Sequence, residues 1–549
     1  MRMPILVLLV WCIGFVLVGG CTNTSAPPAA PLTTVPVPAT VVPTTVPVPD
    51  IDTLCGELVY CGYAPAGTQP VKSIRCDELY TLRMQNDQKV LQCLKNAPET
   101  VRNNSGVPVP CQPGTGTGVC AVSIIPSDRD TGLEGSGNDA SGWDRSIRHT
   151  DDGGYIVSGS INTGGSRGHG AEDMWVVKLN PSGFILWEKV LGGTDRDESF
   201  SMQQTTDDGY ILIGSTDSDN TGDVGPNHGE SDIWVVKLSP SGDIQWQRVL
   251  GGAGFESGRS IEQTTDGGYI LIGSTDSDNT GDVGPNHGGS DVWVVKLSPG
   301  GSIQWQKVLG GSDFESGRSI QQTTDGGYVL AGTTDSDNTG NVGSNHGLSD
   351  IWVVKLNTAG DIQWQQVLGG RDREESFSIH RTTGGGSILT GTTESDNTGD
   401  VGTNHGASDV WVVKLNPAGA IQWQKVLGGE GFESGRSIEQ TTDDGSLLTG
   451  STDSDNTGDV GTNPGGSAIW VVKLNPAGDL QWEKVLGGNG YESGRSIEQT
   501  LDGGSILAGN TGSDNTGDVG SNPGGSALWV VKLNAGGAIQ WQLIPGQAG

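Results

Sequence analysis

Residues 264–297 read TTDGGYILIGSTDSDNTGDVGPNHGGSDVWVVKL, and this stretch decides the fold. The runs YILIG and WVVKL are apolar at successive positions, which indicates two strands in a sheet that is covered on both faces. Thr-Asp-Gly-Gly before the first run is a tight-turn signal, and a Pro-Gly-Gly turn leads from the second run to IQWQKVL. The unit therefore contains four predicted strands, at Arg259–Thr264, Gly268–Thr275, Val292–Leu297 and Ser302–Leu309.

This unit recurs seven times with a fixed period of 59 residues. The motif WVVKL begins at Trp175, Trp234, Trp293, Trp352, Trp411, Trp470 and Trp529, and a second tryptophan keeps the same register at Trp187, Trp246, Trp305, Trp364, Trp423, Trp482 and Trp541. Seven copies of four antiparallel strands predict an all-β fold, a seven-bladed β-propeller over residues 140–545. A linear β-array is the alternative, and the sevenfold count without a polar capping repeat disfavours it.

The repeat leaves the start of each blade open. A blade either follows chain order or begins at the WVVKL strand. The second arrangement is preferred, because the strands near Ile147 and Tyr155 would then complete the blade that holds Trp529 and Trp541, which ties the chain ends together. It would also place the long Asp-rich segment between blades.

The N-terminus carries an export signal. Arg2 precedes the apolar run Pro4–Val18, which is too short for a stable membrane span and predicts a signal peptide over residues 1–20. Leu17-Val-Gly-Gly-Cys21 resembles the lipobox of prokaryotic lipoproteins, and this resemblance implies a lipid on Cys21 that anchors an exported protein to the membrane at the cell surface. The alternatives are an ordinary signal peptide with an incidental cysteine, or an uncleaved anchor. Residues 21–50 are rich in Thr and Pro and predict an extended stalk.

Residues 51–125 form a predicted Cys-rich module. Its six cysteines favour three disulfides of unassigned connectivity, and a metal cluster is the alternative. One helix is predicted over about Asp77–Leu94 from its leucine spacing. The disulfide candidates are Cys55, Cys61, Cys76, Cys93, Cys111 and Cys120.

Charge excludes one class of partner. The net charge of −33 argues against nucleic acid, because a phosphate-binding surface needs clustered Lys and Arg. It agrees with solubility at an exposed surface or with cation binding.

The polar segment before WVVKL resembles the opening of a Ca²⁺ loop, with carboxylates at positions 1, 3 and 7 and Gly at position 6. Ca²⁺ is therefore a candidate cofactor. The alternative is a plain loop in which Asp, Asn and Ser satisfy their own backbone. The candidate ligands are Asp217, Asp219 and Asp223, Asp276, Asp278 and Asp282, and Asp453, Asp455 and Asp459.

The same segment contains a histidine with an aspartate four residues later. Copies six and seven replace the histidine by Pro464 and Pro523 and the aspartate by Ala468 and Ala527, so the two residues are lost together. This coincidence predicts an imidazole–carboxylate hydrogen bond that fastens the loop, although recent duplication of these two copies would produce it as well. The pairs are His169 with Asp173, His228 with Asp232, His287 with Asp291, His346 with Asp350, and His405 with Asp409.

Two other recurring sets have structural and functional interpretations. The tryptophans either pack between blades, which is favoured, or stack on sugars. Glu256 and Arg259 of GFESGRS, and their copies, form either an inter-blade ion pair, which is favoured, or a ring of ligand-binding charges.

The repeat resembles the prokaryotic cell-surface repeat proteins that carry DGGYI…NHG…DxWVVKL…IQW, and this resemblance implies a β-propeller but no established activity. The expected function is non-catalytic binding or adhesion to a surface protein or a glycan. A glycan-degrading enzyme that uses the central funnel is the alternative. An enzyme needs an asymmetric cluster. The visible departures from repetition are His149, Arg167, the segment Arg371-Asp-Arg-Glu-Glu375 and His380, and they do not show the arrangement of paired carboxylates that a glycosidase needs.

Overall fold

A computed structural model describes residues 100–102, 108–110, 146–162, 169–522 and 524–545. The chain divides into two compact units, Met1–Cys120 and Ala121–Gly549. In the first unit, β1 (Thr100–Arg102) pairs antiparallel with β2 (Pro108–Pro110). The predicted signal peptide, Cys21, the stalk, the helix and all six cysteines of the Cys-rich module lie outside the described residues.

The second unit contains seven sheets of four antiparallel strands, and each sheet takes its strands in chain order. Blade 1 comprises β3 (Ser146–His149), β4 (Tyr155–Ile161), β5 (Asp173–Leu179) and β6 (Ile185–Leu191); blade 2 comprises β7 (Asp197–Gln204), β8 (Tyr210–Thr216), β9 (Asp232–Leu238) and β10 (Ile244–Leu250). Blade 3 comprises β11 (Glu256–Gln263), β12 (Tyr269–Thr275), β13 (Asp291–Leu297) and β14 (Ile303–Leu309); blade 4 comprises β15 (Glu315–Gln322), β16 (Tyr328–Thr334), β17 (Asp350–Leu356) and β18 (Ile362–Leu368).

The last three blades repeat the same order. Blade 5 comprises β19 (Glu374–Arg381), β20 (Ser387–Thr393), β21 (Asp409–Leu415) and β22 (Ile421–Leu427); blade 6 comprises β23 (Glu433–Gln440), β24 (Ser446–Thr452), β25 (Ala468–Leu474) and β26 (Leu480–Leu486). Blade 7 comprises β27 (Glu492–Gln499), β28 (Ser505–Thr511), β29 (Ala527–Leu533) and β30 (Ile539–Leu543). In the part of the chain that the structure describes, no helix has the length and apolar character needed to cross a membrane.

The first strand of every blade contacts the first strands of both neighbouring blades, and β27 contacts β3. The sheets therefore form a closed ring around a central channel, and the predicted seven-bladed propeller is confirmed. The first strand begins three residues earlier than predicted, because Glu256 already pairs with Thr275 in the sheet.

The preferred blade phase is wrong. β3 and β4 pair with β5 and β6 of their own blade, and the last blade already has four strands of its own. The ring closes by apolar packing instead, because Ile147 and Tyr155 share one buried cluster with Ile506, Leu528 and Val530 of blade 7. The long Asp-rich segment consequently joins the second and third strands within a blade.

The core consists of layers between adjacent blades. In WVVKL of blade 3, Trp293, Val295 and Leu297 pack against blade 2, whereas Val292 and Val294 pack against blade 4. This division explains why the run is apolar at every position, since both faces of the strand are buried.

Both tryptophan positions take part in this packing, as predicted. Trp293 is fully buried and its indole Nε1 donates a hydrogen bond to Gln306 Oε1 at 3.0 Å. Trp246 packs edge-to-face on Tyr269 with ring centroids 5.6 Å apart. Gly301 has a φ of +78°, and a Cβ there would lie 2.9 Å from the Trp246 ring, so glycine is required at this turn.

Candidate functional site

The two ends of the ring differ. One end, here called the loop face, carries the long segments between second and third strands and the connections from one blade to the next. The other end, called the turn face, carries the two tight turns of each blade. This arrangement follows from the chain-order topology, in which the strands alternate in direction.

The long segment is fastened to itself and to the preceding blade. The backbone N–H of Asn227 donates to Asp219 Oδ1 at 3.1 Å, and the N–H of Asp223 donates to the Gly192 carbonyl of blade 1 at 2.8 Å. Asn220 has a φ of +49°, a left-handed conformation that asparagine tolerates well. The loop therefore has a fixed shape that its own side chains maintain.

The candidate Ca²⁺ ligands all lie in these loops. Asp278 and Asp455 accept the N–H groups of Asn286 and Asn463, as Asp219 does in blade 2. Among the described residues, no group of three or more His, Cys, Asp or Glu side chains is arranged to hold a metal ion. Carbonyl oxygens also bind Ca²⁺, so Ca²⁺ binding stays a prediction.

The histidine and aspartate of each predicted pair lie close together in four blades. The distance from His Nδ1 to Asp Oδ2 is 2.8 Å in blades 2, 3 and 5 and 3.0 Å in blade 4. The backbone N–H of the same histidine also donates to that oxygen. In blade 1, His169 donates its backbone N–H to Asp173, while its Nε2 lies 3.4 Å from Asp223 of blade 2.

A second carboxyl group from the next blade joins this pair, and no feature of the repeat indicates it. A Cβ added to Gly310 would lie 2.1 Å from Asp291 Oδ1 and 2.5 Å from Glu315 Oε2, so the two acids face each other across that glycine. Burial raises the pKa of Asp291 and of Glu315. The charge of Asp291 raises the pKa of Glu315 further, whereas Glu315 acts to lower the pKa of Asp291. Asp291 Oδ1 is buried without a hydrogen-bond partner, and a proton shared with Glu315 would supply one.

The same arrangement recurs at five blade junctions. Burial raises the pKa of Asp197, the counterpart of Glu315 in blade 2, to about 6. The facing acids are Asp173 and Asp197, Asp232 and Glu256, Asp291 and Glu315, Asp350 and Glu374, and Asp409 and Glu433.

Glu256 and Arg259 have separate contacts. Glu256 is fully buried and accepts hydrogen bonds from the Gly252 N–H at 2.7 Å and from Thr275 Oγ1 at 2.6 Å. Arg259 lies over the Phe200 ring of blade 2, with 4.2 Å from its guanidinium carbon to the ring centroid. The glutamate thus joins its own blade to the connection that leaves blade 2, and the arginine stacks on blade 2.

The central channel contains one polar side chain from each blade. The seven residues occupy the same position of the first strand and are Arg148, Gln203, Glu262, Gln321, His380, Glu439 and Glu498. Burial raises the pKa of Glu439 to about 8, and repulsion from Glu498 adds to this shift. Burial lowers the pKa of His380 to about 4, and the nearby Arg148 and Arg381 charges act in the same direction.

Most of these channel side chains serve the backbone. The first strand of each blade is a sheet edge, and its N–H groups need acceptors. Gln322 N–H donates to Glu262 at 2.5 Å, His149 N–H donates to Glu498 at 2.7 Å, and Gln499 N–H donates to Glu439. Gln203, Gln321 and His380 accept N–H groups of the following blade in the same way. The channel ring therefore joins blade to blade.

His380 is visible in the sequence as a departure from the repeat, but the adjacent glutamates Glu439 and Glu498 are not. Glu439 and Glu498 belong to the repeated motif SIEQ, so nothing in the repeat distinguishes them. Blades 6 and 7 are neighbours that both have glutamate at this position, whereas Glu262 of blade 3 has a glutamine in the blade on either side. The linear sequence gives no reason to compare these positions between blades.

Exposed aromatic residues lie on the loop face, in the connections from one blade to the next. Each stands just before the first strand of its blade, and in two other blades an arginine takes this position. These six residues, here called the rim residues, are Phe255, Phe314, Phe432, Tyr491, Arg196 and Arg373. Phe432 is 62% exposed, although its backbone is held by a bridge to Ser408 and by the N–H of Asp453. The charges of GFESGRS draw attention to Glu and Arg, but the lone aromatic residue in a polar connection also indicates an exposed surface position.

Comparisons with known proteins give little functional guidance. No protein-family model matches the chain. Regulatory protein FlaEY of Caulobacter vibrioides is 24% identical over 261 residues, which cover 42% of this chain and 26% of that protein. The chain thus spans about a quarter of the length of this relative.

Solved structures share low similarity. BamB from Moraxella catarrhalis has a TM-score of 0.31 and 12% identity, covering 67% of this chain and 96% of its own. Puromycin hydrolase has a TM-score of 0.41 and 11% identity, covering 76% of this chain and 56% of its own. A Bacteroides caccae protein of unknown function has a TM-score of 0.35 and 12% identity, covering 61% and 93%. Similarity at this level supports no argument about function.

Proposed function

We propose that the propeller is a non-catalytic binding module whose loop face binds a glycan or a surface protein. The observation that carries this proposal is the set of exposed rim residues on a rigid backbone. Exposed aromatic rings in fixed positions supply contact area at low entropic cost, and they suit the flat faces of sugar rings.

The rim aromatics also repeat around the ring, which favours an extended or repeating ligand. Phe255 and Phe314 stand in adjacent blades, as do Phe432 and Tyr491. A polysaccharide that contacts several such positions gains avidity although each contact is weak. We therefore place a glycan ahead of a protein ligand.

The rim proposal is tested by Phe432→Ala in a glycan-array and titration experiment on the full chain. We expect a loss of affinity of roughly 10-fold, because removing one stacked ring costs about 1–2 kcal/mol. Leu501→Ala is the matched control, since Leu501 is 88% exposed in a turn at the opposite end of the ring. Equal effects of the two substitutions, or no glycan bound at all, would count against a glycan site on the loop face. Pull-down from intact surfaces then tests a protein ligand.

Glycan hydrolysis is the second candidate, and the adjacent Glu439 and Glu498 favour it because one of them holds its proton near neutral pH. Both glutamates already accept backbone N–H groups, which supports a structural role. Release of reducing sugar from a polysaccharide panel that Glu439→Gln abolishes would establish the enzyme instead.

We propose that the propeller is displayed at the cell surface through a lipid on Cys21, with residues 22–50 as the stalk. The support is the lipobox-like Gly19-Gly20-Cys21 and the Thr/Pro-rich composition that follows. Cys21→Ser should abolish labelling with a radioactive fatty acid and release the protein from the membrane fraction. A labelled and membrane-bound variant would exclude this anchor.

A further inference from the structure

In six of the seven blades, a buried lysine forms an ion pair with an aspartate at the turn face. The lysine belongs to WVVKL, and the aspartate lies in the turn between the first two strands of the same blade. The pairs are Lys178 with Asp152, Lys237 with Asp207, Lys296 with Asp266, Lys355 with Asp325, Lys473 with Asp443, and Lys532 with Asp502.

Three donors of different kinds converge on each of these carboxylates. In blade 1, Asp152 Oδ1 accepts hydrogen bonds from Thr150 Oγ1 at 2.6 Å, from the Gly154 N–H at 2.9 Å and from Lys178 Nζ at 2.9 Å. In blade 4, the corresponding hydroxyl of Thr323, together with the lysine and the glycine N–H, lowers the pKa of Asp325 to about 2. The donor set therefore favours an ionised carboxylate strongly.

Blade 5 keeps the three donor residues and lacks the carboxylate, and the amino group of Lys414 lies farther from the turn glycine than the lysine does in the other blades. Its turn reads Thr382-Thr-Gly-Gly-Gly386, so that Gly384 stands where the other blades have aspartate. Thr382, Gly386 and Lys414 are the three donor residues, and all three line a cavity of about 210 Å³. Among the described residues, Lys414 is the one lysine of this set without a carboxylate partner, and its Nζ lies 5.9 Å from the Trp423 ring centroid.

We propose that this cavity in blade 5 binds the carboxylate group of a small monoanion, held by Lys414, Thr382 and the Gly386 N–H. The ligand takes the place that an aspartate side chain has in the six other blades. The site lies on the turn face and is independent of the rim residues.

The cavity wall favours a monoanion over a phosphate or sulfate dianion. Asp444 also lines the cavity, and its Oδ1 accepts hydrogen bonds from Thr383 Oγ1 at 2.9 Å and from Gln440 Nε2 at 3.2 Å. Its negative charge opposes a second negative charge on the ligand. A carboxylate also matches the donor positions that the sister blades show.

The test is a titration of the full chain with ¹³C-acetate, followed by NMR line broadening. The wild-type protein should bind one acetate per chain saturably, with a dissociation constant on the order of millimolar for so small a ligand. Gly384→Asp supplies the missing carboxylate from the chain itself and should weaken acetate binding at least roughly 10-fold, because it fills the same donors. Lys414→Met should weaken it similarly.

The sister blades provide a converse experiment. Asp266→Gly in blade 3 leaves Thr264, Gly268 and Lys296 without their carboxylate and should raise the number of acetates bound from one to two. Circular dichroism of each variant verifies the fold. The proposal is overturned if acetate binding does not saturate, or if Gly384→Asp leaves it unchanged. It is also overturned if phosphate displaces acetate at equal ionic strength. Glucuronate that binds with the same sensitivity identifies a glycan carboxylate as an accepted source, whereas acetate binding alone limits the site to free small carboxylates.

Discussion

The carboxyl pair of Asp291 and Glu315 makes the stability of the protein depend on pH. Both pKa values are raised by burial, so the folded protein holds a proton that the unfolded chain releases near pH 4. The stability that this proton contributes is complete below about pH 4 and decreases as the pH rises through the raised values. Burial also raises the pKa of the aspartate at the four other junctions, Asp173, Asp232, Asp350 and Asp409, so these contributions accumulate around the ring.

Replacing Asp291 with Asn should remove this dependence at one junction. The amide oxygen can still accept from His287, and the amide NH₂ can donate to Glu315 in place of the proton. We expect the free energy of unfolding of the variant, relative to wild type, to increase by about 1 kcal/mol between pH 5 and pH 8. Guanidinium unfolding at the two pH values measures this difference.

Asp325→Asn is the matched control. Its carboxyl has a pKa of about 2 and is ionised at both pH values, so its effect on stability should not change between them. An Asp291→Asn effect that is equally constant would exclude the shared proton.

Prediction at the residue level succeeded for neighbours in sequence and failed for neighbours in space. His287 and Asp291 are four residues apart and disappear together in other copies, so their contact leaves a visible trace. Glu315 lies in the next blade and remains as Glu492 where the aspartate becomes Ala468, so no joint loss reveals it. The blade-5 cavity depends on a single replacement, Gly384, that has meaning only once Lys414 is seen beside it.

At the level of elements, the long loop has two different sequences at the position of the His–Asp pair. Blade 3 uses His287 and Asp291, and blade 6 uses Pro464 and Ala468, while both continue with Gly-Gly-Ser or its equivalent. Proline fixes its own backbone angle, whereas histidine needs the aspartate as a partner. Blade 3 is therefore a suitable host for exchanging one solution for the other.

A double-mutant cycle with His287→Pro and Asp291→Ala should show strong coupling. Asp291→Ala alone leaves the imidazole and its backbone N–H without their acceptor and should cost about 1–3 kcal/mol. The double substitution should cost less than the sum of the two single ones, by about 1 kcal/mol. Guanidinium midpoints of the four proteins give the coupling, and additive effects would show that blades 6 and 7 are alike only by duplication.

Calcium binding to the loops is tested at the same scale. If Ca²⁺ occupies the sites that include Asp217, Asp276 and Asp453, millimolar Ca²⁺ should raise the melting temperature, and EDTA should lower it again, because a ligand stabilises the state that binds it. Mg²⁺ at equal concentration controls for ionic strength. An unchanged melting temperature after EDTA treatment would end the calcium hypothesis.

The strands themselves were predictable, and their grouping was not. YILIG and WVVKL show their burial on both faces in their composition, and the turn signals give their ends. These runs are buried whether a blade follows chain order or begins at WVVKL, so the periodicity of the sequence does not distinguish the two arrangements. The choice depends on packing at the junction of the first and last blades, where Ile147 meets Val530 without exchanging a strand.

The whole ring should open first at this junction. No segment of the chain connects blade 7 to blade 1, and Ala527 replaces the aspartate that braces five other junctions. Local opening needs the least energy where packing and hydrogen bonds are fewest. Hydrogen exchange followed by mass spectrometry should show faster exchange in β3 and β28 than in β12 and β16. Uniform protection around the ring would show that apolar closure is as strong as any other junction.

Because every blade is one unbroken stretch of chain, the propeller is also a genetic array of whole units. Recombination between two misaligned copies of the coding sequence removes or adds a multiple of 59 residues, and neither product interrupts a sheet. The first and last blades are complete in themselves, so the chain ends impose no fixed number of copies. The near-identity of the copies favours such exchanges. The ring size of this protein is therefore open to change in single steps, by one blade at a time.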